Sequence, residues 1–142
     1  CDLRYSTVDA QFSIKEIDIG MAADVGTLQR MPHLIGDGML RELAFTGRTF
    51  AGEEACSMGL VNRTYADHES LLAGVLKLAR EIAAKSPVAI RGTKEMLRYM
   101  RDHRIDDGLE YIATWNASML QSEDLRIAIA AHMSKQRAEF AN

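Results

Sequence analysis

Two carboxylates stand close together in an apolar stretch near the start of the chain. Glu16 follows an extended run with β-branched and aromatic residues, and Asp24 opens an apolar segment with the pattern of a helix start. Gly20 lies between them, and a glycine allows a turn tight enough to direct both acids into one pocket. Carboxyl groups held together in this way suit general acid–base catalysis. Four apolar side chains are expected to shield the two acids from water: Ile17, Ile19, Met21 and Val25.

The same two acids also have an ordinary structural interpretation. Asp24 is an acceptable helix N-cap, and Glu16 is acceptable as a solvated acid at the end of a strand. Cap and surface acids far outnumber catalytic ones, so residue type and spacing favour the structural interpretation for either residue taken singly. Both interpretations stay open at this point.

The composition is that of an ordinary folded protein. The chain has 142 residues, of which 47% are hydrophobic, and this length is enough for one domain with a real core. Its formal net charge of −3 comes from interspersed acids and bases, which argues against a nucleic-acid-binding surface. The two cysteines, Cys1 and Cys56, lack metal-ligand spacing, so no metal site is expected. No apolar run approaches the roughly 20 residues that a membrane-spanning helix needs.

The hydrophobic periodicity divides the chain into two regions. Residues 1–66 combine short strand patterns with short helices, and these strands make so little sheet that we expect them to pair with sheet outside the chain. Residues 67–142 have the pattern of four amphipathic helices, with Ser86 as an N-cap and Pro87 at the first helical position of the second one. The apolar stripes of these helices are wide, which predicts contacts with other subunits. The residues expected to lose solvent there are Leu109, Ile112, Leu125 and Ile129.

Residues 16–32 closely resemble a segment of the dienoyl-CoA isomerases in the crotonase, or enoyl-CoA hydratase/isomerase, superfamily. The similarity runs nearly end to end. It continues in four further stretches: residues 1–5, 85–89, 101–103 and 113–121. The resemblance implies an α/β fold of the crotonase/ClpP-like spiral type. In that fold residues 1–66 would hold the last strands and the active-site helix of the core, and residues 67–142 would form a C-terminal helical trimerisation region.

The resemblance also implies a reaction and residue roles. The reaction is the isomerisation of 3,5-dienoyl-CoA to 2,4-dienoyl-CoA in unsaturated fatty-acid β-oxidation, with no cofactor because CoA is part of the substrate. Asp24 would be the base at C2, and Glu16 would protonate the distal carbon. Lys135 would reach the 3′-phosphate of CoA bound by a neighbouring subunit, although a solvated terminal lysine accounts for it equally well. His132 stands where hydratases have an aromatic ring, so the resemblance does not extend to an aromatic contact with adenine.

Asp24 separates the activities within this family. Hydratases resemble the chain at Glu16, but they usually carry glycine or another residue without a carboxyl group at the position of Asp24. The acid therefore favours dienoyl isomerisation. Enoyl-CoA hydratase and Δ3,Δ2-enoyl-CoA isomerase remain enzymatic alternatives, and a non-catalytic fragment that acts only as an assembly module is an alternative of another class.

The region of resemblance corresponds to the second half of family members that are about twice as long. The N-terminal half of the fold would carry the oxyanion-hole donors and a third acid, so the isolated chain is expected to be inactive. The family implies a homo-oligomer, either a trimer or a dimer of trimers. It also implies a cytoplasmic location in a bacterium and a mitochondrial or peroxisomal one in a eukaryote.

Three further polar residues invite a functional interpretation but receive a structural one. His33 and His103 have no serine or cysteine that the sequence places beside them, so both are expected to be cap or surface histidines. Asn116 falls on the apolar stripe of the third tail helix and is expected to be buried and hydrogen-bonded.

Overall fold

A computed structural model describes residues 1–141 and divides the chain into two compact units. The first unit comprises Cys1–Leu76 and the second Lys77–Asn142. The boundary between these units falls inside a long helix. The division into domains at residues 66 and 67, which rests on the change from mixed to helical patterns, stays a prediction.

Four short strands in the described chain form two separate two-stranded sheets, both in the first unit. Strand β1 (Tyr5–Thr7) pairs in parallel with β4 (Arg63–Tyr65), and β2 (Gln11–Phe12) pairs antiparallel with β3 (Phe50–Ala51). An aromatic ring of β2 stacks on one of β3 with centroids 5.6 Å apart. The sheets are small, as predicted, but the strands find partners inside the chain. Local patterns missed this because each strand pairs with one that is distant in sequence.

The helices of the first unit are short. Helix α1 is Thr27–Arg30, α2 is Asp37–Thr46 and α3 is Gly52–Ser57. Two 3-10 helices, Glu16–Ile19 and Met31–His33, come before and after α1. Helical spacing ended by a glycine predicts helices over residues 38–45 and 53–58, and the bounds of α2 and α3 confirm both to within one residue at each end.

One apolar cluster forms the core of the first unit. Leu43 of α2 is 0% exposed and lies at its centre, and strands, loops and helices α2 and α3 supply the rest. The cluster contains every buried apolar side chain of the described chain: Ile14, Ala23, Met31, Ile35, Leu40, Leu43, Phe50, Ala55 and Val61. On the outside of this cluster, Arg48 bridges Glu42 at 2.8 Å and Glu54 at 2.5 Å, which ties α2 to α3. Hydrogen bonding to Arg48 lowers the pKa of Glu54, so this bridge is charged at neutral pH.

Four longer helices follow, as the periodicity predicted. They are α4 (His68–Ala83), which begins in the first unit, then α5 (Pro87–Tyr99), α6 (Ile105–Met119) and α7 (Glu123–Met133). Among the described residues of these helices, only two glycines, in α5 and α6, are buried. Their wide apolar stripes therefore remain largely accessible.

The cap of α5 links two helices of the second unit. The hydroxyl oxygen of Ser86 accepts a hydrogen bond from the Ala89 N–H at 3.1 Å, which confirms the predicted N-cap. The same hydroxyl donates to the carboxylate of Asp124, in the first turn of α7, at 2.5 Å. The Val88 N–H also donates to that carboxylate at 3.3 Å. One acid of α7 thus stabilises the N-terminus of α5.

The four residues expected to lose solvent are only partly covered. Leu109 is 61% exposed and Ile129 is 51% exposed, while Ile112 and Leu125 are half-buried. Their burial by association stays a prediction.

Candidate active site

Glu16 is the first residue of a 3-10 helix that no buried side chain anchors. The helix is closed by main-chain hydrogen bonds from Gly20 to Ile17 at 3.2 Å and from Met21 to Glu16 at 3.0 Å. Gly20 ends it in the left-handed region, with φ 75°, which a glycine adopts without strain. The chain therefore turns sharply a few residues after Glu16, as the sequence predicted, and the Glu16 side chain is half-buried.

Asp24 lies in an irregular segment and is exposed. Ala23, directly before it, is buried in the core cluster, so the backbone is fixed next to the acid while the acid itself faces outward. Helix α1 begins three residues later at Thr27, and its N-cap is Gly26 with no side-chain capping bond. The interpretation of Asp24 as a helix N-cap is therefore wrong.

The carboxylates of Glu16 and Asp24 have no partners within the described part of the chain. Between residues 1 and 141 neither carboxylate forms a hydrogen bond or an ion pair. Asp18, on the same 3-10 helix, behaves differently, because it forms an ion pair with Lys15 at 3.0 Å. Two acids that structural contacts leave unused are available to a ligand.

The apolar residues around these acids do not shield them within this chain. Their side chains are between 44% and 74% exposed, so the expected shielding is wrong for the first unit alone. These side chains lie outside the core cluster, and the contact of Ile17 with Gly47 covers that side chain only in part. The outcome is accessible apolar surface from four side chains that are near the two acids in sequence: Ile17, Ile19, Met21 and Val25. Such a surface can bind an apolar chain and move protons along it.

Arg30 supports the segment that carries Asp24, which the sequence analysis missed. Its guanidinium Nη1 donates a hydrogen bond to the Val25 carbonyl at 3.1 Å, and the group lies directly over Gly26. A side chain at position 26 would collide with Arg30, so the glycine makes this contact possible. The local pattern shows only a basic residue near the end of a short helix, which is a common feature without specific meaning.

Lys135 lies beyond the last helix and not on it. Helix α7 ends at Met133, and Lys135 is the one residue other than glycine with positive φ, 54°, in the described chain. Its N–H donates to the His132 carbonyl at 3.2 Å, so this residue closes the C-terminal turn of the helix. The Lys135 side chain is exposed. The helical pattern of the sequence predicts Lys135 on the last helix, which is wrong because the helix ends two residues before it. The contact of Lys135 with CoA stays a prediction.

Of the three remaining polar residues, the structure confirms the predictions for two histidines and contradicts the prediction for one asparagine. His33 is exposed, and His103 stacks on Tyr99 with centroids 3.6 Å apart, so both are surface histidines as predicted. Asn116 is exposed, which makes the prediction of a buried asparagine wrong. It lines a cavity of about 390 Å³ in the second unit, together with residues of α5, α6 and α7. The apolar stripe of α6, which includes Asn116, lines this cavity, so the Asn116 side chain is not covered by a packed core.

Residues 1–141 contain no group of three or more His, Cys, Asp and Glu side chains placed to hold a metal ion. None of the helices in this part of the chain is both long and apolar enough to cross a membrane.

Known proteins resemble this chain in both sequence and fold. The family model described as enoyl-CoA hydratase/isomerase matches residues 1–142. Mitochondrial Δ(3,5)-Δ(2,4)-dienoyl-CoA isomerase of Rattus norvegicus is 49% identical over 137 residues, which are 96% of this chain and 42% of the relative. The peroxisomal isomerase of the same name from Arabidopsis thaliana is 46% identical over 141 residues, which are 99% of this chain and 51% of the relative.

The crystal structure of enoyl-CoA hydratase from Bacillus anthracis superposes with a TM-score of 0.94 at 26% identity, covering 99% of this chain and 54% of that one. The chain therefore has the crotonase fold over the part that it covers, which is mostly helical with small sheets. It spans about half the length of the curated relatives that it matches. Because the family model covers the whole sequence, the chain belongs to the enoyl-CoA hydratase/isomerase family.

Proposed function

We propose that this chain supplies the two proton-transfer acids of an enzyme that isomerises 3,5-dienoyl-CoA to 2,4-dienoyl-CoA. The observation that carries the proposal is Asp24, an exposed acid that caps no helix and has no partner among the described residues. It follows Glu16 by one sharp turn and stands among exposed apolar side chains. Two relatives named as dienoyl-CoA isomerases are 49% and 46% identical, against 26% for the hydratase of known structure.

The proposed reaction moves one proton and needs no oxidant or reductant. The Asp24 carboxylate takes a proton from C2, next to the thioester carbonyl, and the electron pair spreads over the diene as a dienolate. Protonated Glu16 then gives a proton to C6, and the double bonds shift from positions 3 and 5 to positions 2 and 4. Asp24 is left protonated and Glu16 ionised, and proton exchange with water restores both acids before the next turnover. Two acids are needed because C2 and C6 are too far apart for a single carboxyl group to serve both.

The proposal includes partners that complete the site. We propose that the N-terminal half of the crotonase fold supplies the oxyanion-hole donors and a third acid, and that the helices of the second unit join subunits into a trimer or a dimer of trimers. Lys135 would bind the 3′-phosphate of CoA in a neighbouring subunit. The compartment would be the mitochondrion or the peroxisome in a eukaryote, as in the relatives named above, and the cytoplasm in a bacterium.

The test is an isosteric substitution of each acid in the complete enzyme. Asp24→Asn keeps the size of the side chain but removes the base, so we expect isomerisation to fall roughly 10²- to 10⁴-fold. Glu16→Gln is expected to reduce turnover similarly. Formation of the 2,4-dienoyl thioester is followed by its ultraviolet absorbance, while calorimetry shows that the fold and the binding of the CoA ester are kept.

Asp18→Asn is the matched control for this experiment. Asp18 lies between the two acids in sequence but pairs with Lys15, so its substitution is expected to leave turnover within about twofold. Near-normal turnover of Asp24→Asn would reject the proposal. Hydration of a 2-enoyl-CoA by that variant would favour the hydratase alternative, and absence of turnover of either thioester by the unsubstituted enzyme would favour an assembly module.

A further inference from the structure

We infer that Gly47 is a positioning residue that holds the Glu16 carboxyl group at its place in the site. This inference rests on the proposed function, because it concerns how one of the two acids is aimed. It begins from the weakness of the element that carries Glu16. The 3-10 helix Glu16–Ile19 has four residues, no side-chain cap and no buried side chain, so it needs support from another part of the unit.

Gly47 at the end of α2 supplies this support. It is buried and lies against the 3-10 helix so closely that a Cβ atom on Gly47 would be 2.8 Å from Asp18 Oδ1 and 2.9 Å from Ile17 Cγ2. Real Cβ atoms do not approach other atoms this closely, so the side chains of Ile17 and Asp18 would have to shift. The Asp18 carboxylate can rotate away, but Ile17 Cγ2 is bonded to the β-carbon of a stiff β-branched side chain, so its shift also moves the backbone of the 3-10 helix. Since Ile17 and Asp18 follow Glu16 directly, such a movement would displace the Glu16 carboxyl group.

The support is rigid because Gly47 is fixed to the core. Its N–H donates to the carbonyl of Leu43 at 3.0 Å, and Leu43 is the side chain at the centre of the core cluster. The next residue, Arg48, bridges Glu42 and Glu54, which holds the chain beyond Gly47 as well. Between a fixed support and a weak short helix, the helix is the part that would move.

An alanine at position 47 would have two effects, a collision with the 3-10 helix and strain in its own backbone, and a second glycine distinguishes them. Its φ of 59° is in the left-handed region, where any residue with a Cβ is strained. Gly59, which follows Met58 at the end of α3, has φ 86°, but a Cβ there would meet only the Leu34 carbonyl at 3.2 Å. Gly59→Ala is therefore a control that adds backbone strain without touching the 3-10 helix.

The experiment is a double-mutant cycle between Gly47→Ala and Glu16→Gln in the complete enzyme. Gly47→Ala is expected to lower kcat for dienoyl-CoA isomerisation roughly 10- to 100-fold and to leave KM within about twofold, because a misplaced catalytic group affects the chemical step. In the Glu16→Gln background the same substitution is expected to cost less than about twofold, because no catalytic carboxyl group remains to be displaced. Gly59→Ala is expected to leave kcat within about twofold in both backgrounds.

Three results would overturn the inference. The first is a Gly47→Ala variant with near-normal kcat, the second is a full additional loss in the Glu16→Gln background, and the third is an equal loss from Gly59→Ala. If Gly47→Ala does not fold, Ile17→Ala removes the same contact from the other side without disturbing a buried residue. Its kcat is then expected to fall when Glu16 is present and to stay within about twofold in the Glu16→Gln background, and an unchanged kcat would reject the inference.

Failure of the proposed function gives a different result. If the unsubstituted enzyme hydrates 2-enoyl-CoA and does not isomerise dienoyl-CoA, the proposed function is wrong. The same cycle measured on hydration then still tests Gly47, because Glu16 is the position at which hydratases resemble this chain. If neither reaction takes place, Glu16 has no reaction to serve and the inference is rejected together with the proposed function.

Discussion

The two units of this chain bury apolar surface in different ways. The first unit closes a core of nine apolar side chains with short helices and strands from distant parts of its sequence. The second unit has longer helices with regular apolar stripes, but the described helices bury no apolar side chain fully. Length and periodicity of helices are therefore a poor guide to where the core of this chain lies.

The difference teaches what each unit contributes. A closed core can hold irregular segments in place, which is what Glu16 and Asp24 require, since neither acid lies on a long helix. Open helical stripes hold little in place by themselves but offer surface to a partner. The proposed roles, acids in the first unit and subunit contacts in the second, follow from this contrast.

The largest expected effect is at the centre of the core. Leu43→Ala removes a side chain that is 0% exposed, so the free energy of unfolding is expected to fall by about 2–5 kcal/mol. Leu97→Ala in α5 is the matched control, because Leu97 is 68% exposed and its substitution should cost less than about 0.5 kcal/mol. Urea unfolding measures both. Equal losses in the free energy of unfolding would show that the second unit has a core as stable as that of the first, which would contradict the contrast between the two units.

A smaller effect is expected on the open stripe of α6. If Leu109 meets another subunit, Leu109→Ala should weaken association by about 1–2 kcal/mol per subunit, since half or more of its apolar surface would be uncovered again. This corresponds to dissociation at a roughly tenfold higher protein concentration, measured by analytical ultracentrifugation. Glu110→Ala, one residue along the same helix, should leave assembly unchanged. A complete enzyme that is monomeric without any substitution would refute the interface.

Sequence patterns predicted the elements whose causes are local. The ends of α2 and α3 followed from glycine positions, and the cap of α5 followed from the pair Ser86 and Pro87, because each signal acts within a few residues. The burial of Asn116 was predicted wrongly and the pairing of the strands with one another was missed, since both depend on which distant segments meet. Pairing with sheet outside the chain stays a prediction. A stripe pattern indicates which face of a helix is apolar, but not whether anything covers it.

The candidate site was predictable in part for the same reason. The identity of the two acids and the turn at Gly20 were visible in the sequence, and the resemblance to a family suggested their roles. The contact of Gly47 with the 3-10 helix was not visible, because some thirty residues separate them and a glycine after a helix has a sufficient local explanation. Support of this kind is found only once the backbone is known.

The smallest expected effect is a change with pH in the stability of the corner between α5 and α6, which comprises residues 99–105. Three rings of the second unit lie together where α5 is followed by α6. The ring of His103 stacks on Tyr99 with centroids 3.6 Å apart, and the ring of Tyr111 is tilted against Tyr99 with centroids 4.7 Å apart. His103 Nδ1 is 2.8 Å from the Tyr99 carbonyl and 2.7 Å from the Asp102 carboxylate. The hydrogen bond with that carbonyl, followed by the interactions with Asp102, raises the pKa of His103 above its ordinary value of 6.5.

The direction of the pH effect follows from this raised pKa. Because the folded chain holds the proton of His103 more tightly than the unfolded chain, the stabilisation is fully present below pH 6.5 and is lost as the pH rises through the higher folded value. The difference in Tm between the unsubstituted protein and His103→Gln should therefore be larger at about pH 5.5 than at about pH 8. Tyr99→Phe keeps both the ring and the carbonyl, so it should retain the pH dependence. A difference in Tm that is constant or grows with pH would show that the corner is held by ring stacking alone.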